Sequence, residues 1–89
     1  MGKEVVLFKS EEKRSVQEVA GFLRELADKI AAQQVILQQG ENEITLNLPA
    51  QITLEVKAEE EDKKTRTQRS LEVELEWNVG EDSGPLTLG

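Results

Sequence analysis

The sequence lacks cysteine, histidine and tyrosine, and its aromatic side chains are limited to Phe8, Phe22 and Trp77. Without cysteine the chain has neither disulfide bonds nor thiol chemistry, which fits a reducing compartment. Without histidine and cysteine it also lacks the commonest general base, the soft metal ligands and the thiol nucleophile. We therefore predict a protein without enzyme activity or a cofactor, because catalysis would have to rest on carboxylates, lysines or hydroxyls.

Long apolar runs are also absent, since the longest is Val5–Phe8. A bilayer-spanning helix needs about 20 apolar residues, and no signal peptide is recognisable. Acidic residues number 18 against 11 basic ones, so the net charge is −7, which repels nucleic-acid phosphates and anionic lipid headgroups. We expect a soluble, cytoplasmic protein that binds neither nucleic acid nor membranes.

The length of 89 residues fits one domain with a single hydrophobic core. We assign residues 1–79 to this domain. The remaining segment, GEDSGPLTLG, shows no hydrophobic periodicity. We therefore expect residues 80–89 to form a disordered tail.

The first third of the chain predicts a strand followed by a helix. Val5–Phe8 is a brief apolar run that is half β-branched, which predicts a strand over residues 4–9. Ser15 and Glu18 then form a capping-box pattern that opens a helix. Apolar residues recur every three or four positions as far as Ile30, so the helix carries one buried stripe about four turns long.

After the helix the pattern changes to alternation, which predicts an antiparallel meander of strands. A two-residue turn at Gly40-Glu41, with positive φ at the glycine, sets Leu37 opposite Ile44 and Val35 opposite Leu46. A second turn is expected at residues 49–51, where proline ends the preceding strand. That turn would pair the second and third strands of the meander as follows: Leu48 with Ile52, Leu46 with Leu54, and Ile44 with Val56.

The segment RSLEVELEW, residues 69–77, alternates almost without interruption between apolar residues and glutamate. Such alternation predicts a strand with one face on a core and the other in water. A two-residue turn at Lys64-Thr65 would pair this strand with residues 52–58. The resulting pairs are Ala58 with Leu71, Val56 with Val73, Lys57 with Glu72, Glu60 with Arg69, and the like-charged Glu55 with Glu74.

Together these patterns predict an α+β fold in the order β-α-β-β-β-β, with one amphipathic helix on the apolar face of a mostly antiparallel sheet. The first strand would join a sheet edge through a right-handed crossover. The expected core contains Val16, Val19, Leu23, Leu26, Ile30, Leu37, Ile44, Leu46, Leu48, Ile52, Leu54, Val56, Leu71, Val73, Leu75 and Trp77.

Five segments together resemble the amphi-Trp domain family, whose small acidic members carry an amphipathic segment ending in tryptophan. These segments are KSEEKRS before the helix, FLRELADKI within it, and then ITLNLP, ITLEVKAE and RSLEVELEW. The resemblance covers roughly residues 8–77. It implies a small standalone domain without an assigned activity or ligand, and therefore supplies no functional residue to this chain.

Two groups of carboxylates are candidates for chemistry. Glu74 and Glu76 lie two apart on one strand face, roughly 6.5–7 Å apart by strand rise, which is within the range of paired catalytic carboxylates. Glu59–Asp62 could collect a divalent cation through oxygen ligands. We favour solvated surface charge for both groups, because an open sheet face supplies no cleft and the acidic run lacks the glycine turn of a built loop.

The apolar surplus at the sheet margins points instead to protein interaction. Val6 and Phe8 on the first strand, Ile36 facing outward, and Trp77 at the end of the last strand are the candidate interface residues. We predict a non-catalytic interaction or assembly module with a protein partner or a second copy of the chain. The alternatives are a carboxylate-based cation-binding protein or small hydrolase, and a chain tuned to solubility in salt.

Overall fold

The structure, a computed structural model, describes residues 2–80. The described residues form one helix and four strands, in the order α1 (Val16–Ala31), β1 (Gln34–Gln39), β2 (Asn42–Asn47), β3 (Thr53–Lys63) and β4 (Arg66–Glu76). The strands pair antiparallel in two sheets, β1 with β2 and β3 with β4. The predicted α+β class is confirmed.

The chain divides into two compact units between Leu48 and Pro49. The first unit holds α1 and the β1–β2 hairpin, and the second holds the β3–β4 hairpin. The single domain expected over residues 1–79 stays a prediction. The tail expected at residues 80–89 lies, apart from Gly80, outside the described residues.

Helix α1 begins with the predicted capping box. The Ser15 side chain accepts a hydrogen bond from the Glu18 backbone N–H at 3.0 Å, and the Ser15 N–H donates to Glu18 Oε1 at 3.1 Å. Arg14 donates to the other carboxylate oxygen of Glu18 at 3.2 Å. The two bonds between Ser15 and Glu18 satisfy backbone donors that every helix N-terminus leaves without an intrahelical partner, which fixes the first turn.

The β1–β2 hairpin has the register that the turn residues predict. Gly40 adopts φ 60°, and Gln39 pairs with Asn42 across the two-residue turn. Val35 lies opposite Leu46, and Leu37 lies opposite Ile44, as expected. The apolar face of this hairpin holds the core of the first unit, where Val35 and Leu48 are each 7% exposed and α1 contacts β1.

Gln33 connects the end of α1 to the end of β2. Its backbone has φ 63°, an unusual left-handed conformation for a residue other than glycine. The Gln33 carbonyl accepts a hydrogen bond from the Leu48 N–H at 2.9 Å, and Gln33 Nε2 donates to the Leu48 carbonyl at 2.9 Å. The side chain and backbone of one residue therefore bond both polar groups of the buried Leu48.

The strand predicted over residues 4–9 is wrong, because residues 2–15 contain neither helix nor strand and α1 is the first element. Val5, Val6 and Leu7 are exposed. Four apolar residues favour extended backbone, but a strand forms only where a neighbouring strand accepts its hydrogen bonds. Within the described residues no strand pairs with this run.

The four-stranded meander is also wrong, since β2 and β3 belong to different two-stranded sheets. Residues 48–52, expected to form a tight turn with paired flanks, have no strand conformation. Pro49 has no N–H to contribute to a ladder, and both backbone groups of Leu48 bond to Gln33. The backbone hydrogen bonds that would pair β2 with β3 across a turn at residues 49–51 are therefore not formed.

The expected core is smaller than predicted. Val35 and Leu48 are the buried apolar residues of the described chain, and Val35 was missing from the expected set. In α1, Leu26 and Ile30 are half-buried, whereas Val16, Val19 and Leu23 are exposed. The short β1–β2 hairpin thus shields the C-terminal half of the helix stripe.

Candidate interaction surface

The β3–β4 hairpin has the register predicted from alternation and a turn at Lys64-Thr65. Lys63 pairs with Arg66 across this turn, and the ladder continues for eleven cross-strand pairs. A ladder this long places two rows of side chains on opposite faces, because residues two apart in a strand point the same way. The hairpin therefore carries one apolar face and one charged face.

Every second cross-strand pair in this part of the ladder is apolar, and three such pairs form what we call the apolar face. It consists of Leu54 opposite Leu75, Val56 opposite Val73, and Ala58 opposite Leu71. Four of these side chains keep most of their surface in solvent: Leu54 is 62%, Val56 60%, Leu71 72% and Val73 63% exposed. The described part of the second unit, residues 49–80, contains no further helix or strand to cover them.

Polar cross-strand pairs mark the end of the apolar face that is nearest the hairpin tip. Arg69 Nε donates to Glu60 Oε1 at 2.7 Å, and Thr67 Oγ1 donates to Asp62 Oδ1 at 2.9 Å. These contacts confirm the expected pairing of Glu60 with Arg69. The acidic run Glu59–Asp62 lies within β3, where alternation sends its side chains to both faces. The run is therefore not a cluster that surrounds one point.

The opposite side of the hairpin, the charged face, is mainly acidic. Lys57 lies at its centre, with Nζ 3.6 Å from Glu72 Oε2 and 3.7 Å from Glu59 Oε1. Lys57 is the one cation on this face among residues 53–61 of β3 and the β4 residues that pair with them. One lysine therefore balances only part of the carboxylate charge around it.

Glu55 and Glu74 lie directly opposite each other on the charged face. The hydrogen bond that protonated Glu74 makes with the Glu55 carboxylate raises the pKa of Glu74, and the charges of Glu76, Glu55 and Glu72 raise it further. Like charges directly opposite in a ladder destabilise strand pairing. The lysine of this face, Lys57, pairs with Glu72 and Glu59 instead of with these two carboxylates.

The predicted carboxylate sites gain no enclosing structure. Glu74 and Glu76 lie on the charged face of β4, and both side chains are exposed to water. Among residues 2–80, no three acidic side chains are grouped in a way that could hold a metal ion. The carboxylates Glu55, Glu72 and Glu74 line an open depression beside Lys57 and not an enclosed cleft.

The four predicted interface residues fall in different places. Phe8 and Ile36 line one shallow depression of the first unit together with Phe22, where Phe8 is half-buried and Ile36 is 53% exposed. Val6 is 75% exposed and lies outside any strand. Trp77 is half-buried in the second unit and lines a depression beside Pro49–Thr53.

The comparisons with known proteins bear on the whole chain. A family model described as the Amphi-Trp domain matches residues 1–88. The chain belongs to the Amphi-Trp domain family. Neither the curated proteins nor the solved structures gave a significant match to this Amphi-Trp chain. Membership therefore confirms the family resemblance and leaves the function to be argued from the surface itself.

Sequence reasoning missed the apolar face as a surface of this Amphi-Trp domain, because it placed Leu54, Val56, Leu71 and Val73 in the core. Alternation showed which residues share this face but not whether anything covers it. Residues 53–76 form the longest strands of the described chain, and β1 and β2 are only six residues each.

Within residues 2–80 no helix combines the length and the apolar character that crossing a bilayer requires.

Proposed function

We propose that this chain is a non-catalytic protein-interaction module that assembles through the apolar face of the β3–β4 hairpin. The observation that carries the proposal is the exposure of Leu54, Val56, Leu71 and Val73, three-fifths or more of each side chain, in adjoining cross-strand positions. Scattered apolar residues are normal on protein surfaces, but contiguous apolar patches mark interaction sites.

The energetics favour coverage of this face by another surface. An isolated two-stranded hairpin is marginally stable at best in water, and stability requires more strands or a packed helix. Complete burial of one such side chain contributes about 1.5–3 kcal/mol, so covering the exposed parts of all four contributes about 4–8 kcal/mol. That gain is comparable to the whole stability of a small domain, roughly 5–15 kcal/mol.

The distribution of charge on the β3–β4 hairpin agrees with an interaction through the apolar face alone. The apolar face carries no charge until Glu60, and Arg69 already bonds that carboxylate at 2.7 Å. A partner surface therefore does not have to desolvate an unpaired charge over the three apolar pairs, which would be costly. The acidic charged face stays in water and maintains solubility.

The test compares Val56→Lys with Gln68→Lys, which adds the same charge to the charged face of the same hairpin. Light scattering across a dilution series should show self-association of the wild-type chain. Val56→Lys is expected to abolish it, whereas Gln68→Lys, placed opposite Glu61, is expected to preserve it. Circular dichroism checks that both variants fold. Equal association by both variants would refute the use of the apolar face.

Of the candidate residues Val6, Phe8, Ile36 and Trp77, the first two are tested in the same assay. If Val6→Lys or Phe8→Lys abolished association while Val56→Lys did not, the interface would lie on the first unit. The proposal expects the reverse, because the apolar face is continuous and Val6 lies in a segment without regular structure.

Cation binding at the charged face is a second candidate, and the opposed carboxylates Glu55 and Glu74 favour it. A divalent cation would relieve their repulsion through oxygen ligands. Titration with Ca²⁺ or Mg²⁺ should then shift the amide resonances of these residues saturably, and Glu74→Gln should remove the effect. Weak shifts without saturation across the whole chain would leave only screening.

A cytoplasmic location belongs to the same proposal and is supported by the absence of cysteine from a small chain. Its partner is a protein, since a net charge of −7 opposes nucleic acid and anionic membranes. Cell fractionation with an antibody to the native protein checks the location.

A further inference from the structure

Strand β3 has a free edge. In the described residues it pairs with β4 on one side and with no strand on the other, and every residue from Thr53 to Lys63 is exposed. An unpaired edge presents a row of N–H and C=O groups that another strand can complete. This edge also borders the apolar face, so a strand added here would extend that face.

We propose that the partner is a second copy of this chain, joined along the β3 edges by a two-fold axis at Val56. The inference rests on the proposed function and adds the identity of the partner and the register of the contact. In this arrangement the β3 row of the apolar face packs beside the same row of the second copy, whereas the β4 row, Leu71 and Val73, lies outside the contact. Two antiparallel copies of β3 then form the centre of a four-stranded sheet. A two-fold axis uses the same surface on both copies and closes the assembly at two.

Charge complementarity selects this register. With Val56 opposite Val56 of the second copy, alternation sets Glu55 opposite Lys57 of the second copy, and Lys57 opposite its Glu55. Two opposite-charge pairs thus form across the axis on the charged face. On the apolar face, Leu54 lies opposite Ala58 of the second copy, so a large side chain meets a small one.

Neighbouring two-fold registers lose these matches. Centring the axis on Glu55 or on Lys57 sets that residue against its own copy, which juxtaposes like charges. Centring it on Ala58 again pairs lysine with glutamate, but it sets Leu54 against Asp62 and Glu55 against Glu61 of the second copy. The axis at Val56 is thus the one that pairs opposite charges and keeps all three apolar residues of β3 against apolar partners.

The edge of β4 is unsuited to the same contact. Glu72, Glu74 and Glu76 occupy consecutive positions on its charged face. Every two-fold register that sets two of the apolar residues of β4 against apolar partners also sets glutamate against glutamate. Charges on a strand edge prevent pairing in this way, so β3 is the edge left for association.

The contact between Glu55 and Lys57 of the second copy also bears on the opposed pair Glu55 and Glu74. These opposed carboxylates lack a cation within their own hairpin, because Lys57 lies nearer Glu59 and Glu72. The proposed register brings Lys57 of the second copy directly beside Glu55. The contact therefore places a cation next to the one pair of opposed carboxylates in the ladder.

Reciprocal charge reversal tests the register. Glu55→Lys alone would set lysine against lysine twice in a homodimer, and Lys57→Glu alone would set glutamate against glutamate twice. Each variant is expected to dissociate at a concentration about tenfold or more above wild type, and an equimolar mixture of the two is expected to restore wild-type affinity. Glu61→Lys is the matched control, on the same strand and face but away from both pairs.

Disulfide trapping provides a second readout, because a single introduced cysteine is unique in this chain. Glu55→Cys mixed with Lys57→Cys should form a mixed disulfide on oxidation. Neither variant alone should do so, because identical positions are offset by two residues across the axis and their Cα atoms lie more than about 7 Å apart. Circular dichroism confirms the fold of each variant.

The outcomes separate the two proposals. Restoration by mixing together with a mixed disulfide supports the β3 register. Association that requires Val56 but is indifferent to charge reversal and gives no mixed disulfide overturns the register and leaves the proposed function standing. A chain that stays monomeric throughout the dilution series overturns the second copy as partner, and it refutes self-assembly through the apolar face as well.

Discussion

Glu55 and Glu74 lie directly opposite each other in the β3–β4 ladder, although both carry a carboxylate. Their apposition raises the pKa of Glu74, first through a hydrogen bond to Glu55 and then through the charges of Glu76, Glu55 and Glu72. The register responsible for this contact is the one that aligns the three apolar pairs on the other face. Alignment of the apolar rows therefore outweighs one unfavourable charged pair.

Glu74→Gln is expected to stabilise the hairpin at neutral pH. The amide removes one of the two opposed charges and can donate a hydrogen bond to the Glu55 carboxylate. Amide hydrogen exchange of β3 and β4, measured at a dilution where the chain is monomeric, should slow. Glu72→Gln is the matched control on the same strand and face. It removes the carboxylate 3.6 Å from Lys57 Nζ and should give no such gain.

The contributions of Glu74 and Glu18 to the stability of their units are expected to respond to acid in opposite directions. The pKa of Glu74 is raised in the folded hairpin, so its favourable contribution is complete below the usual pKa of glutamate, about 4.3, and is lost as pH rises through the raised value. Backbone and side-chain hydrogen bonds with Ser15, and then with Arg14, lower the pKa of Glu18. Its contribution is therefore present above about 4.3 and is lost as pH falls through the lowered value.

Residue-resolved hydrogen exchange between pH 3 and 7, corrected for intrinsic rates, checks this contrast. Protection of β3 and β4 around Glu74 should rise on acidification, whereas protection of the first turn of α1 should fall. Charge-neutral variants Glu74→Gln and Glu18→Gln should flatten the respective profiles. A uniform loss of protection in both units would contradict the assignment of the two shifts.

Ser15→Ala is expected to destabilise α1 by about 1 kcal/mol, because the capping box loses the acceptor of the Glu18 backbone N–H. Helicity measured by circular dichroism and the midpoint of urea unfolding should both decrease. Ser10→Ala serves as the control, since Ser10 lies outside the helix and makes only a 3.4 Å hydrogen bond to Glu12. Equal effects of the two substitutions would argue against a role for the cap.

Gly40→Ala is expected to destabilise the β1–β2 hairpin by roughly 1–2 kcal/mol. The cause is the left-handed backbone, φ 60°, because nothing lies within 4 Å of an added Cβ. Gly40→Asn should recover part of the loss, since asparagine tolerates this conformation. Urea unfolding of the three proteins gives the comparison, and identical midpoints would exclude positive φ as the constraint.

Local chemistry made several features predictable. Ser15 and Glu18 predict the start of α1, and Gly40 predicts the β1–β2 hairpin. Alternation on both sides of Lys64-Thr65 predicts the β3–β4 hairpin. These features depend on contacts close in sequence or on an uninterrupted period of two. The register of each hairpin followed, because a slip of one residue would move every apolar side chain to the opposite face.

Features that depend on the rest of the chain were not predictable in the same way. Val5–Phe8 has strand propensity but no pairing strand among the described residues, and propensity alone does not supply hydrogen-bond partners. Periodicity also identified which residues of β3 and β4 share a face without showing whether anything covers it. The apolar face, and with it the candidate site, became visible only from the exposure of those residues in the folded hairpin.

The three glutamates of β4 limit the size of the proposed assembly. Strand pairing propagates into ribbons and fibrils when each molecule offers two edges that accept a neighbour. In the proposed assembly one edge of the hairpin recruits and the other repels, so the addition of a second copy leaves only repelling edges at the outside. Polymerisation is therefore expected to stop at the pair, because the glutamates of β4 oppose the addition of a third copy.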